Sequence, residues 1–113
     1  MVTKDADNRT YPTYALEQIQ RLAGTRDVGY GTRKAQVDAQ NLSYTIEDIC
    51  ECLQALSTNH FHHSEKYPGF PIWHDVYLIS YSGPSGCIDE LYVKLKLSKD
   101  CVLVTLTSFH LQQ

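Results

Sequence analysis

The sequence predicts an α+β fold, two to three N-terminal helices packed on a C-terminal, mainly antiparallel sheet, on three observations. Apolar residues recur at helical spacing in the first half. After His60 the period changes to two, with turns at Pro68-Gly69, Gly83-Pro84 and Gly86. The length of 113 residues, 42% of them hydrophobic, supplies one domain core and leaves no room for a second. In chain order, residues 1–13 carry almost no apolar side chains and read as a flexible tail, so the domain is placed at 14–113. Leu16, Ile19, Leu22 and Ala23 predict a first helix over Tyr14–Ala23, stopped at Gly24. Asp27–Gly31, with valine and tyrosine between glycines, reads as extended, and Thr32 is placed to cap a second helix running to Asn41. Ile46, Ile49, Cys50, Leu53 and Leu56 form the stripe of a third helix. Thr45 stands at its cap, and Glu47 and Asp48 lie where the helix dipole favours negative charge. In Leu91–Leu97 strict alternation sets Leu91, Val93, Leu95 and Leu97 on one face and Tyr92, Lys94 and Lys96 on the other. Lys99-Asp100 reads as a tight turn into a last strand over Cys101–Phe109.

Composition narrows the function. A net charge of −3 excludes a broadly basic nucleic-acid module, so any such site must be local. No apolar run approaches the roughly 18 to 20 residues needed to span a bilayer, and the first dozen residues are too polar for a signal peptide, which predicts a cytoplasmic protein. Cys50, Cys52, Cys87 and Cys101 form no CxxC pair and sit mostly in apolar runs, as buried free thiols do.

The five histidines and eight tyrosines are the chemical excess. Two imidazoles in different protonation states serve as base and acid near neutral pH. Metal-free cleavage of RNA needs such a pair, because the ribose 2′-OH loses a proton as it attacks phosphorus and the leaving 5′-oxygen gains one. A cation then holds the phosphoryl oxygens. His63, His74, His110 and the Lys94/Lys96 row supply these types. His62 and His63, adjacent on a strand, are expected on opposite faces, so that one of them enters a given site. A zinc site from His63, His74 and His110 lacks a ligand-spacing motif, and Tyr92 with the two lysines also suits an ordinary solvated sheet face. Pattern by itself leaves enzyme and non-enzyme both open.

Four segments break the tie: Phe61-His62-His63-Ser64, Ile72-Trp73-His74-Asp75-Val76-Tyr77, Leu91-Tyr92-Val93-Lys94 and Ser108-Phe109-His110. In order and spacing these, together with Val28–Ala35, resemble the MqsR family of bacterial toxins over roughly Pro12 to His110. The resemblance implies a RelE-like fold and a ribosome-independent mRNA endonuclease, the toxin of a type II pair with a cognate antitoxin; joined to the histidine chemistry above, the expectation is a metal-independent, sequence-preferring mRNA endoribonuclease without cofactor. It also implies catalytic positions at His63, His74, Tyr92 and His110. Of these the tyrosine alone is identical to the family pattern, and histidine replaces lysine, glutamine and lysine at the other three. In this reading His63 or His110 takes the 2′-OH proton and the other protonates the leaving oxygen, His74 binds phosphate and Tyr92 orients it. Lys94, Lys96 and Arg33 hold a short single strand while His62, Tyr77 or Tyr92 stacks a base. The competing expectation is a catalytically inactive toxin-like domain that binds an antitoxin or another protein. A zinc-dependent hydrolase is a weaker third.

Overall fold

The computed structural model describes residues 7–113. Among them, three α-helices cover one face of a six-stranded sheet. The strands are β1 (Asp7–Arg9), β2 (Val28–Tyr30), β3 (Phe61–Lys66), β4 (His74–Ser82), β5 (Ile88–Leu97) and β6 (Val104–Leu111); the helices are α1 (Leu16–Gly24), α2 (Arg33–Asn41) and α3 (Ile46–Gln54). The sheet order is β1-β3-β4-β5-β6-β2, antiparallel except where β2 runs parallel to β6. No helix among the described residues is long and apolar enough to cross a membrane.

Local chemistry sets the helix boundaries. Thr32 caps α2 by accepting from the Ala35 N–H at 3.0 Å, and Thr45 and Asp48 cap α3 reciprocally. Ile19, Ala23, Ile49 and Leu53 then join Leu91, Val93, Leu95, Leu106 and Phe109 in one core between the helices and the inner sheet face. Helix α1 starts later than its apolar pattern suggests. The Tyr14 N–H is given to the Asp75 carboxylate at 2.9 Å, and Ala15 is extended.

Helices and strands interleave along the chain, which corrects the expectation of a helical half followed by a sheet half. Both sheet edges come from the N-terminal half. The tail expected over residues 1–13 is tied down from Asp7 onward: β1 pairs with β3, the Arg9 guanidinium lies 3.8 Å from the Trp73 ring centroid, and the Thr13 N–H reaches both oxygens of Asp75 at 3.0 Å. The part of that expectation covering residues 1–6 lies outside the described residues. Strand β6 begins at Val104, because the Ser98 N–H closes a loop onto the Leu103 carbonyl at 2.8 Å and Cys101 turns through a φ of 60°. Cys101 and Cys87 are exposed and Cys50 and Cys52 buried, so burial holds for two of the four free thiols.

Two irregularities of the ladder decide which side chains reach the uncovered face. Between Phe61 and His63, β3 advances two residues while β4 advances one, and between Leu106 and Ser108, β6 does the same against Leu95 and Lys94. Simple alternation from Phe61, which packs edge-on against buried Tyr77, sends His63 inward. Alternation from buried Leu106 likewise sends His110 inward and Phe109 out. Each bulge inserts one residue and flips every side chain beyond it to the opposite face. Phe109 therefore enters the core, and His63 and His110 reach the open face.

Candidate functional site

The open face carries His63 and Glu65 from β3, His74, Val76 and Leu78 from β4, Tyr92, Lys94 and Lys96 from β5, and Ser108 and His110 from β6, as the register dictates. A cavity of about 430 Å³ on it is lined by His62, His63, Leu78, Tyr92, Lys94, Ser108, His110 and the C-terminal glutamines. Leu78, Tyr92 and His110 form one cross-strand row and Val76, Lys94 and Ser108 the next, so β3 and β6 supply imidazoles from either side of a floor made by β4 and β5.

His110 lies flat on Tyr92, with centroids 4.8 Å apart and planes within 7°. Its Nδ1 is 2.8 Å from the Leu111 carbonyl, an acceptor without a proton. Nδ1 therefore carries the hydrogen and Nε2 is left to face a substrate. Across the cavity His63 Nε2 is 2.7 Å from Glu65 Oε1, and His63 Nδ1 is 2.7 Å from His62 Nδ1. Glu65 Oε2 accepts from the Tyr67 hydroxyl and, at 3.2 Å, from Lys94 Nζ. Burial opposes the charge of Glu65, but the hydrogen bonds from Tyr67 and His63 and the charge of Lys94 outweigh it and leave the carboxyl below its ordinary range. Lys94 mirrors this: burial would lower its pKa, and Glu65 and Tyr67 raise it, so the ammonium stays charged.

Several sequence-predicted placements change. His62 and His63 share one face, because the bulge cancels the alternation that separates neighbours on a regular strand. Tyr77 is 1% exposed in the core and has no face to offer a base. Lys96 lines a separate cavity with Trp73 and Lys99, and Arg33 is exposed at the first turn of α2; neither lines the histidine cavity. His74 shares the open face and pairs in register with Glu65, yet it does not line the cavity. Burial first, then the positive charges of Lys94 and Lys96, hold the His74 pKa below the ordinary imidazole range despite Glu65 and Asp75. It is uncharged at neutral pH, which suits phosphate binding poorly; the cation at the cavity is Lys94. Glu65 and Tyr67 are absent from the sequence-predicted set, although His63, Glu65 and Tyr67 stand at every second position, the spacing that brings strand residues to one side.

The His74 shift has a measurable consequence for stability. Its folded pKa lies below the unfolded value of about 6.5, so the unfolded chain takes up a proton that the folded protein refuses as pH falls through that value. Stability is therefore lost on acidification, and depressed Glu65 adds a loss of the same sign at lower pH. Thermal unfolding followed from pH 7.5 to 5 should show Tm falling, with a shallower decline for His74→Gln below about pH 6.5. Equal slopes for the two proteins would refute the burial of a neutral imidazole.

The Trp73-His74-Asp75-Val76-Tyr77 string is mostly architectural: Trp73 stacks under Arg9, Asp75 anchors Thr13 and Tyr14, and Val76 and Tyr77 are buried. Comparison with known proteins finds that the family described as motility quorum-sensing regulator, toxin of MqsA, matches residues 11–110, which include every residue that lines the cavity except the two C-terminal glutamines. No curated protein matches the chain.

Proposed function

Since the chain belongs to the motility quorum-sensing regulator family, toxins of MqsA, we propose that this toxin of a toxin–antitoxin system is a metal-independent endoribonuclease that cuts single-stranded mRNA and is held in check by an antitoxin. The observation that supports the reading is the single cavity into which β3 and β6 bring imidazoles from opposite sides of a charged lysine and an aromatic floor. The imidazole pair of His62 and His63 takes the 2′-OH proton. The 2′-oxygen bonds to phosphorus as the bond to the 5′-oxygen breaks, and that oxygen leaves with a proton from His110 Nε2. The products are a 2′,3′-cyclic phosphate and a 5′-hydroxyl. Lys94 faces the charge that builds on the phosphoryl oxygens. Tyr92 holds the His110 ring in place by stacking flat against it. With a net charge of −3, binding rests on these local groups, and the salt dependence of affinity is correspondingly small.

The test is incubation of the purified chain with a defined mRNA in excess chelator, with primer extension to map new ends and end-group analysis for cyclic phosphate. Cuts at discrete sites by the wild type, absent from a folded His63→Ala, His110→Ala double variant, are the expected result. Intact RNA with folded wild-type protein would overturn the reading.

A further inference from the structure

The contacts of His63 leave it without a ring nitrogen for a substrate. We infer that His62 is the imidazole that meets the 2′-OH, and that Glu65, acting through His63, is the positioning residue that makes it a base. The inference rests on the ribonuclease reading above. The proton arrangement is set by the partners. Glu65 already accepts from Tyr67 and Lys94 and is ionised, so the nitrogen facing it, His63 Nε2, must carry a hydrogen. In the neutral pair His63 Nδ1 is then an acceptor and His62 Nδ1 the donor across 2.7 Å. That leaves a lone pair on Nε2 of His62, the exposed member of the pair, at the cavity. When the O2′–H bond breaks and this Nε2 gains the proton, the new positive charge is shared across two imidazoles toward a buried carboxylate. The groups facing Glu65 are His63 on its own strand, His74 on β4, Tyr92 and Lys94 on β5 and Tyr67 in the following loop. The arrangement is the carboxylate-oriented imidazole of acid–base enzymes, lengthened by one ring.

Two measurements judge this. Long-range proton–nitrogen spectra of 15N-histidine protein without RNA should show hydrogen on Nε2 of His63 and Nδ1 of His62 above the titration of the pair, and Glu65→Gln should lose that preference. Hydrogen on Nε2 of neutral His62 would overturn the relay whether or not the protein cleaves RNA. In cleavage assays His62→Ala should lose about 10² to 10⁴-fold in kcat, as a missing general base does. Glu65→Gln should lower kcat and lose the wild-type tautomer preference together, and Glu65→Asp should restore part of both; a purely structural role lowers the rate without changing the tautomers. A folded His62→Ala variant with full activity, or a Glu65→Gln variant that keeps the wild-type tautomers, would refute the assignment. A wild type that shows the tautomers but cuts no RNA would count against the ribonuclease reading and leave the relay standing.

Discussion

His110→Ala should lower RNA cleavage by about 10² to 10⁴-fold while costing no more than about 1–2 kcal/mol of stability. The ring is only half-buried and makes two local contacts, the stack on Tyr92 and the bond from Nδ1 to the Leu111 carbonyl, so little of the core depends on it. Its loss removes the proton that the 5′-oxygen must acquire, and an alkoxide is a poor leaving group without one. The alkaline limb of the pH–rate profile reports the same group, since the acid must be protonated to act. His110→Lys offers a sharper reading. Lysine has an ordinary pKa of about 10.4 against about 6.5 for histidine, so the alkaline limb should move to higher pH, with a lower maximum rate from the weaker acid. Steady-state cleavage of a short fluorescent RNA across pH 5 to 10 measures all three proteins. An alkaline limb that stays in place in His110→Lys would remove His110 from the acid role.

The second large effect is on the fold. Asp75 is fully buried on β4 and accepts the backbone N–H groups of Thr13 and Tyr14. Asp75→Ala should cost about 2–4 kcal/mol, the loss of two hydrogen bonds to a charged acceptor. That is a large share of the roughly 5–15 kcal/mol by which a domain is stable. The anchored segment also carries Arg9, whose guanidinium bonds Thr13 and stacks on Trp73, and β1, which covers the free edge of β3. Loss of the anchor should therefore expose the β3 edge. Urea unfolding measures the cost, and hydrogen exchange at Ser64 and Lys66 measures the exposed edge. Asp75→Asn keeps the shape and one acceptor oxygen and should fall between wild type and alanine. Wild-type stability for the alanine variant would show that the anchor is dispensable.

Much of the scaffold was legible in local pattern. The caps at Thr32 and Thr45 rest on hydrogen bonds between residues three apart, and the inward row of Leu91, Val93, Leu95 and Leu97 rests on two-residue alternation. The extended segment at Val28–Tyr30 was legible too, though not that it would lie parallel to β6 at the far edge of the sheet. The candidate site was legible in its residue types: His62, His63, Tyr92, Lys94 and His110 all line the cavity. Tyr77 was misread because a tyrosine between Val76 and Leu78 looks the same in sequence whether its ring meets solvent or Phe61. The low pKa of His74 was not legible because it comes first from burial by the fold and then from Lys94 and Lys96 on β5, some twenty residues away in the chain.

By itself the sequence determined the three helices, the period of the strands and the histidine-rich chemistry, all of which depend on neighbours a few residues apart. The tertiary structure decided which histidines meet. A bulge is a mismatch between two strands, so neither strand's own alternation reveals it, and one extra residue sends every following side chain to the opposite face. The bulges at His62 and Thr107 turn His63 and His110 out of the core and toward each other across β4 and β5. The same register brings Glu65 and Lys94 into contact across the sheet, and their paired charges help keep a buried carboxylate ionised, so that it can orient the imidazoles beside it.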